Sequence, residues 1–141
     1  YHTIEPFPLS EEIYSQLNYV DQNDGIWHYH KYFKVLHELP WNEGGPVSEY
    51  FNFKKDQVTL EVAQLYPSDV VFFDAFAPKK QPELWQIEPL TKVCESMRQG
   101  GLFTTYSATG QLKRDLKSLG LEVENPPGPP GKKEMTRGWK K

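Results

Sequence analysis

A chain of 141 residues with a formal charge of -3 and an isoelectric point near 5.8 is one domain by length, without the net basic charge of a general nucleic-acid binder. Its single cysteine, Cys94, excludes an internal disulfide framework and any multi-cysteine zinc site. No apolar run approaches the ~20 residues of a membrane helix and no signal peptide opens the chain, so a cytoplasmic enzyme or binding domain is expected.

His2-Thr3-Ile4-Glu5 reads as a short strand stopped by Pro6 and Pro8. Ser10 is the expected N-cap of a helix with Glu11 and Glu12 in its first turn and Ile13 and Leu17 on one face. A second helix is expected over Ile26–Leu39, ended by Pro40. It carries His28, His30 and Tyr32, but no acid or cysteine stands at ligand spacing, so no metal is expected. Tyr50–Phe53 and Val58–Val62 read as strands flanking a turn at Lys55-Asp56-Gln57. Val70–Phe73, four apolar residues in a row, reads as a strand buried on both faces. Trp85–Met97 has a helical rhythm, with Pro89 at N1 or at a kink and Cys94 a buried, inert thiol. Gly100-Gly101 ends that helix, and Leu102–Tyr106 is the next strand. Gln111–Leu119 is a helix closed by Gly120. Leu121–Val123 starts a strand, Pro126–Gly131 is a loop, and Glu134–Trp139 is a last strand. The alternation predicts an α/β fold with a mostly parallel sheet, its last strand antiparallel beside the Leu102 strand.

In open α/β sheets, ligands bind just beyond the carboxyl ends of the strands. Asp74 stands where the Val70 strand ends, followed by Phe76, Pro78, Lys79, Lys80, Pro82 and Trp85. An acid, aromatics and a proline-stiffened basic loop there suggest a site for a flat, anionic substrate. The plainer alternative is that Asp74 caps a helix or anchors a turn. Trp85 and Tyr106 serve equally well as core. Lys113, Arg114 and Lys117 read as a solvated helix face.

The twelve residues from Asp74 to Trp85, DAFAPKKQPELW, resemble the signature of the methyltransferase family that makes 5-methylaminomethyl-2-thiouridine at the tRNA wobble position. Ile4–Ser10 resembles that family's second strand and turn, Gly100–Gly110 its fifth strand and following loop, and Gly131–Met135 its C-terminal basic turn. The resemblance implies a Rossmann-like class I fold, S-adenosylmethionine as cofactor and tRNA as substrate, in a family found alone or fused to an FAD-dependent oxidase domain. It implies that Glu5 holds the cofactor's ribose and that Asp74, beside cofactor and substrate, takes the proton from the substrate amine. Phe76 and Trp85 are then expected to stack on the base or wall the pocket, with Pro78 in the same loop. Tyr106 and Ser107 are expected to line the substrate side, and Lys79, Lys80, Lys132 and Lys133 to meet tRNA phosphates. The chain begins at the family's second strand, so the first strand and Gly-rich cofactor loop are missing; a partial domain of a longer protein is expected. The link Glu61–Ser68 is short, and the family's acid near the adenine is not evident there. The other reading is an inactive remnant of the fold that binds RNA or a protein. A nucleotide-binding oxidoreductase draws no support, because its Gly-rich fingerprint is absent.

Overall fold

The computed structural model describes residues 1–19 and 28–141, which gather into two units, Tyr1–Ala63 and Gln64–Lys141, each with its own sheet.

The first unit holds β1 (His2–Ile4), α1 (Glu11–Tyr14), α2 (His28–Glu38), β2 (Glu43–Ser48) and β3 (Phe51–Asp56), with strand order β1-β3-β2. β1 runs parallel to β3, and β2 pairs antiparallel with it. Ser10 takes the N-cap position of α1, but its side chain makes no capping hydrogen bond. Ile26 and Trp27, expected in the second helix, lie outside the described residues. The expected turn at Lys55-Asp56-Gln57 is instead the end of β3, and both Lys55 and Asp56 are buried. The cause is a buried cation. Lys55 Nζ donates to the carbonyls of Leu36 and His37 at 2.9 and 2.6 Å, satisfying acceptors that the end of α2 leaves open. Its ammonium also lies 4.8 Å from the Trp41 ring centre, and burial pushes its pKa down. Val58–Val62 is a turn rather than a strand; Ala63 N donates to Thr59 O at 3.0 Å. The antiparallel partner of β3 is Glu43–Ser48, whose Gly44-Gly45-Pro46 hides it from propensity rules; proline is tolerated there because, among the described residues, β2 stands at the edge of its sheet.

The second unit runs β4 (Ser68–Phe72), a 3-10 turn (Pro82–Trp85), α3 (Ile87–Ser96), β5 (Met97–Thr105), α4 (Gly110–Ser118), β6 (Leu121–Glu124) and β7 (Thr136–Lys140). Its strand order is β4-β5-β7-β6. β4 and β5 are parallel, and β7 inserts antiparallel between β5 and β6, as the sequence suggests. The expectation of a mostly parallel sheet is corrected: both sheets are mixed. Val70–Phe73 is corrected too. Among the described residues β4 pairs with β5 alone, and Val70 and Phe72 are 46% and 62% exposed. An apolar run cannot by itself distinguish a central strand from one at the end of a sheet. Phe73, just past the strand, is the member that turns into the core.

That core consists of Leu90, Val93, Cys94, Met97, Phe103, Leu112, Leu116 and Leu121. The helix expected from Trp85 breaks at Gln86, which is extended, so a 3-10 turn precedes α3. Pro89 falls in the first turn of α3, where its missing N–H costs no intrahelical bond. The helix ends at Ser96, and Gly100-Gly101 instead lie in β5, where its register with β4 shifts. Gly120, at φ +86°, closes α4 in the left-handed region. Gly138 lets β7 pass Leu121, whose Cδ2 would stand 2.8 Å from an added Cβ.

Candidate functional site

β4 and β5 are parallel neighbours, so the loops after them leave the same edge of the sheet. Phe73 N donates to Thr104 O at 2.9 Å, carrying the ladder one residue past β4. The Phe73 ring meets Trp85 edge-on with centres 5.1 Å apart and stacks on Phe103 at 5.4 Å. Asp74 follows, exposed, with no hydrogen-bond or ion-pair partner among the described residues. The chain then closes on itself. Phe76 N donates to Gln81 Oε1 at 3.2 Å, and Phe76 O accepts from Trp85 Nε1 at 2.8 Å. Ala77 O accepts from the backbone N–H groups of Lys80 and Gln81. This closure leaves the Phe76 side chain 76% exposed and puts Lys79 and Lys80 on the outside of the turn. Pro78, Pro82 and Trp85 form one wall of a cleft of about 190 Å³, faced by Thr109, Gln111 and Leu112 at the start of α4. Trp85 is therefore core and pocket wall at once.

The loop after β5 brings Tyr106, half exposed, beside the C-terminal basic turn; Lys132 Nζ lies 5.4 Å from its ring centre. Ser107 N donates to Thr105 Oγ1 at 3.2 Å, while Ser107 Oγ is buried without a partner among the described residues. Lys133 is exposed on the same turn, and its carbonyl accepts from Gly128 N. Lys113 departs from expectation: instead of a solvated face it makes a half-buried ion pair with Glu134 at 2.9 Å, tying the basic turn to α4. Ten of the sequence-predicted residues, Asp74 through Lys133, thus lie in this unit, and Glu5 lies in the other.

Glu5 follows β1. Its backbone N donates to Asp56 O at 3.0 Å, and its Oε1 accepts from Phe7 N at 2.7 Å. Glu5 is exposed, and its second oxygen has no partner among the described residues. Both readings of this residue therefore coexist: one oxygen anchors a turn and the other is open. Sequence reasoning missed its neighbour Asp56, the last residue of β3, which lies opposite Ile4 in the parallel ladder. Asp56 accepts from Lys54 and from His2 Nε2, the latter at 2.9 Å. The Lys54 bond holds the Asp56 carboxyl below the usual carboxylate range, against an opposing effect of burial and with help from His2. The signal is an acid closing a β-rich run, masked by the turn propensity of Lys55-Asp56-Gln57.

Cys94 is buried, and burial pushes its thiol up to about 11, so it is no nucleophile. The described residues contain no group of three or more His, Cys, Asp or Glu that could hold a metal. His30 is exposed on α2, and the side chain of His28 lies outside the described residues. No described helix is long and apolar enough to cross a membrane.

A family model described as S-adenosyl-L-methionine-dependent methyltransferase matches residues 49–141. The chain belongs to this methyltransferase family. It is 37% identical over 70 residues to the tRNA 5-methylaminomethyl-2-thiouridine biosynthesis bifunctional protein MnmC of Hydrogenovibrio crunogenus, covering 50% of this chain and 10% of that protein. The protein of the same name from Campylobacter hominis is 26% identical over 141 residues, covering 97% of this chain and 21% of that one. The crystal structure of MNMC2 from Aquifex aeolicus aligns with TM-score 0.60 at 25% identity, over 74% of this chain and 34% of its own. The chain thus spans about a tenth to a fifth of the curated relatives it matches.

The family's cofactor needs acceptors for two ribose hydroxyls, and Glu5 fits that need in part: an exposed carboxylate at a strand end with one oxygen open. Asp74 is the second exposed carboxylate that follows a parallel strand, and it has no hydrogen-bond or ion-pair partner among the described residues.

Proposed function

We propose that this chain is part of an enzyme that uses S-adenosylmethionine to methylate the 5-aminomethyl nitrogen of wobble 2-thiouridine in tRNA. The observation that carries the reading is the free carboxylate of Asp74 at a sheet edge flanked by exposed Phe76 and by lysines. The names of the relatives supply the substrate class. When bound, S-adenosylmethionine supplies the methyl group as an electrophile. A primary amine is largely protonated at neutral pH, so its lone pair becomes available only when a base removes a proton. Asp74 is that base. Phe76 and Tyr106 offer aromatic faces for a splayed-out base, with Ser107 beside Tyr106 and Pro78 and Trp85 walling the cleft below. Lys79, Lys80, Lys132 and Lys133 offer ammonium groups to phosphates. Glu5 holds the ribose. On this reading the two units are parts of one catalytic domain, the location is cytoplasmic, and the second activity of the bifunctional relatives is an FAD-dependent oxidase working in the same pathway.

The test is a methylation assay with the full-length protein, labelled cofactor and tRNA carrying 5-aminomethyl-2-thiouridine. Label on that nucleoside is the expected result. RNA binding without label would favour the binding-only remnant.

A further inference from the structure

Asp74 makes no contact that could orient it, so its position comes from its neighbours. On the N-terminal side, Phe73 is fixed by its N–H to Thr104 O and by its ring between Trp85 and Phe103. On the C-terminal side, both polar backbone atoms of Phe76 are held by side chains from later in the same loop. Gln81 Oε1 takes the N–H at 3.2 Å, and Trp85 Nε1 gives its proton to the carbonyl at 2.8 Å. Only Asp74 and Ala75 lie between these anchors.

We propose that Gln81 and Trp85 are positioning residues that clamp the Phe76 peptide groups and thereby aim the Asp74 carboxylate. The inference rests on the reading of Asp74 as the proton acceptor. The residue types suit the task. A backbone N–H needs an acceptor, which the Gln81 amide oxygen supplies; a backbone carbonyl needs a donor, and the indole N–H is a donor alone. Trp85 is 8% exposed and locked edge-on against Phe73, so its N–H is a rigid donor. The same ring therefore fixes both flanks of Asp74, through packing at Phe73 and through hydrogen bonding at Phe76. Proton transfer is sensitive to such placement: a shift of ~1 Å costs up to about a hundredfold in rate.

Trp85→Phe keeps an aromatic ring and removes the donor; Gln81→Met keeps length and removes the acceptor; Gln81→Glu keeps an acceptor. In single-turnover assays of the full-length protein with saturating tRNA and cofactor, Trp85→Phe and Gln81→Met should each slow methyl transfer about tenfold. In Gln81→Met, affinity for tRNA and cofactor should stay within about twofold, and Gln81→Glu should recover most of the rate that Gln81→Met loses. In an Asp74→Asn background neither change should cost anything further, because both act through that carboxylate. Amide exchange at Phe76 should speed up in Gln81→Met. If Trp85→Phe lowers the melting temperature, the Gln81 pair decides. Losses of full size in the Asp74→Asn background, a loss of affinity in place of rate in Gln81→Met, or an unchanged rate beside faster Phe76 exchange would overturn the proposal. Wild-type rates from Asp74→Asn alone would instead remove the base assignment, a failure visible without touching Gln81 or Trp85.

Discussion

Glu5 and Asp74 each stand just past a strand that runs parallel to its neighbour, β1 beside β3 and β4 beside β5. Their carboxylates are held in opposite ways. Glu5 has one oxygen fixed by Phe7 N at 2.7 Å, while Asp74 has neither oxygen engaged among the described residues. A fixed acceptor suits recognition of hydroxyls, whose geometry does not change during a reaction. An unengaged carboxylate suits proton transfer, because both of its oxygens are open to a substrate amine. Asp56 completes the series: buried and paired with Lys54 and His2, it is committed to holding the first unit together. Three acids at strand ends are thus sorted by what their oxygens already do.

The largest effect should come from breaking the Asp74 side of this comparison. Asp74→Asn preserves shape and removes both charge and basic oxygen, with no partner left unsatisfied. Methyl transfer in a single-turnover assay should fall by about 10²–10⁴-fold at unchanged cofactor affinity. A wild-type rate would end the contrast with Glu5.

The Glu5 side should give a smaller effect on a different observable. Glu5→Gln keeps an acceptor for Phe7 N and discards the charge; Glu5→Ala discards both. Losing a charge-assisted bond to the ribose costs on the order of 1.5–3 kcal/mol, or roughly ten- to a hundredfold in affinity. Calorimetry on the full-length protein should therefore show weaker cofactor binding in both variants, with reduced thermal stability in Glu5→Ala alone. Unchanged binding in both would leave Glu5 as a turn anchor.

What the sequence made legible follows the same division. The loop after β4 stands out in the sequence because its residues are local: Asp74, Phe76, Pro78 and Trp85 fall within one short segment, and the hydrogen bonds that join Phe76 to Gln81 and Trp85 close inside it. Strands with strong local punctuation, such as Leu121–Glu124 after Gly120, were equally plain. The first unit resisted because long-range partners override local preference. Lys55-Asp56 resembles a turn until the open carbonyls of α2, 18 and 19 residues away, call for a buried cation. Gly44-Gly45-Pro46 resembles a loop until β3 supplies a partner. Whether β4 is central or terminal depends on its neighbours, which four apolar residues do not encode.

Asp56 sharpens the comparison through pH. Its folded pKa lies below its unfolded value of 3.8, so its stabilising contribution is complete above that value and disappears as pH falls through the folded pKa. Chemical unfolding of the protein at a series of pH values below about 5 should show stability draining with acid, and Asp56→Asn should flatten that limb. Near neutrality the substitution should cost on the order of 1–3 kcal/mol, the worth of charge-assisted bonds to Lys54 and His2. An acid limb unchanged by the substitution would put Asp56 among the unengaged acids and remove the graded series.

The smallest effects belong to the lysines of the second unit, and they separate docking from chemistry. Lys79, Lys80, Lys132 and Lys133 are exposed. Neutralising one should weaken tRNA binding about three- to tenfold and lower the slope of log affinity against log salt by about 0.7–0.9, one phosphate contact. The single-turnover rate at saturating tRNA should not change. Lys113 is the internal control. Its ammonium is already committed to Glu134 at 2.9 Å, so Lys113→Met should leave the salt slope near its wild-type value and act by loosening the basic turn. Filter binding from low to moderate salt would distinguish the two behaviours. A full phosphate's worth of slope lost at Lys113, and none at Lys132 or Lys133, would place the RNA on the α4 face and away from the basic turn.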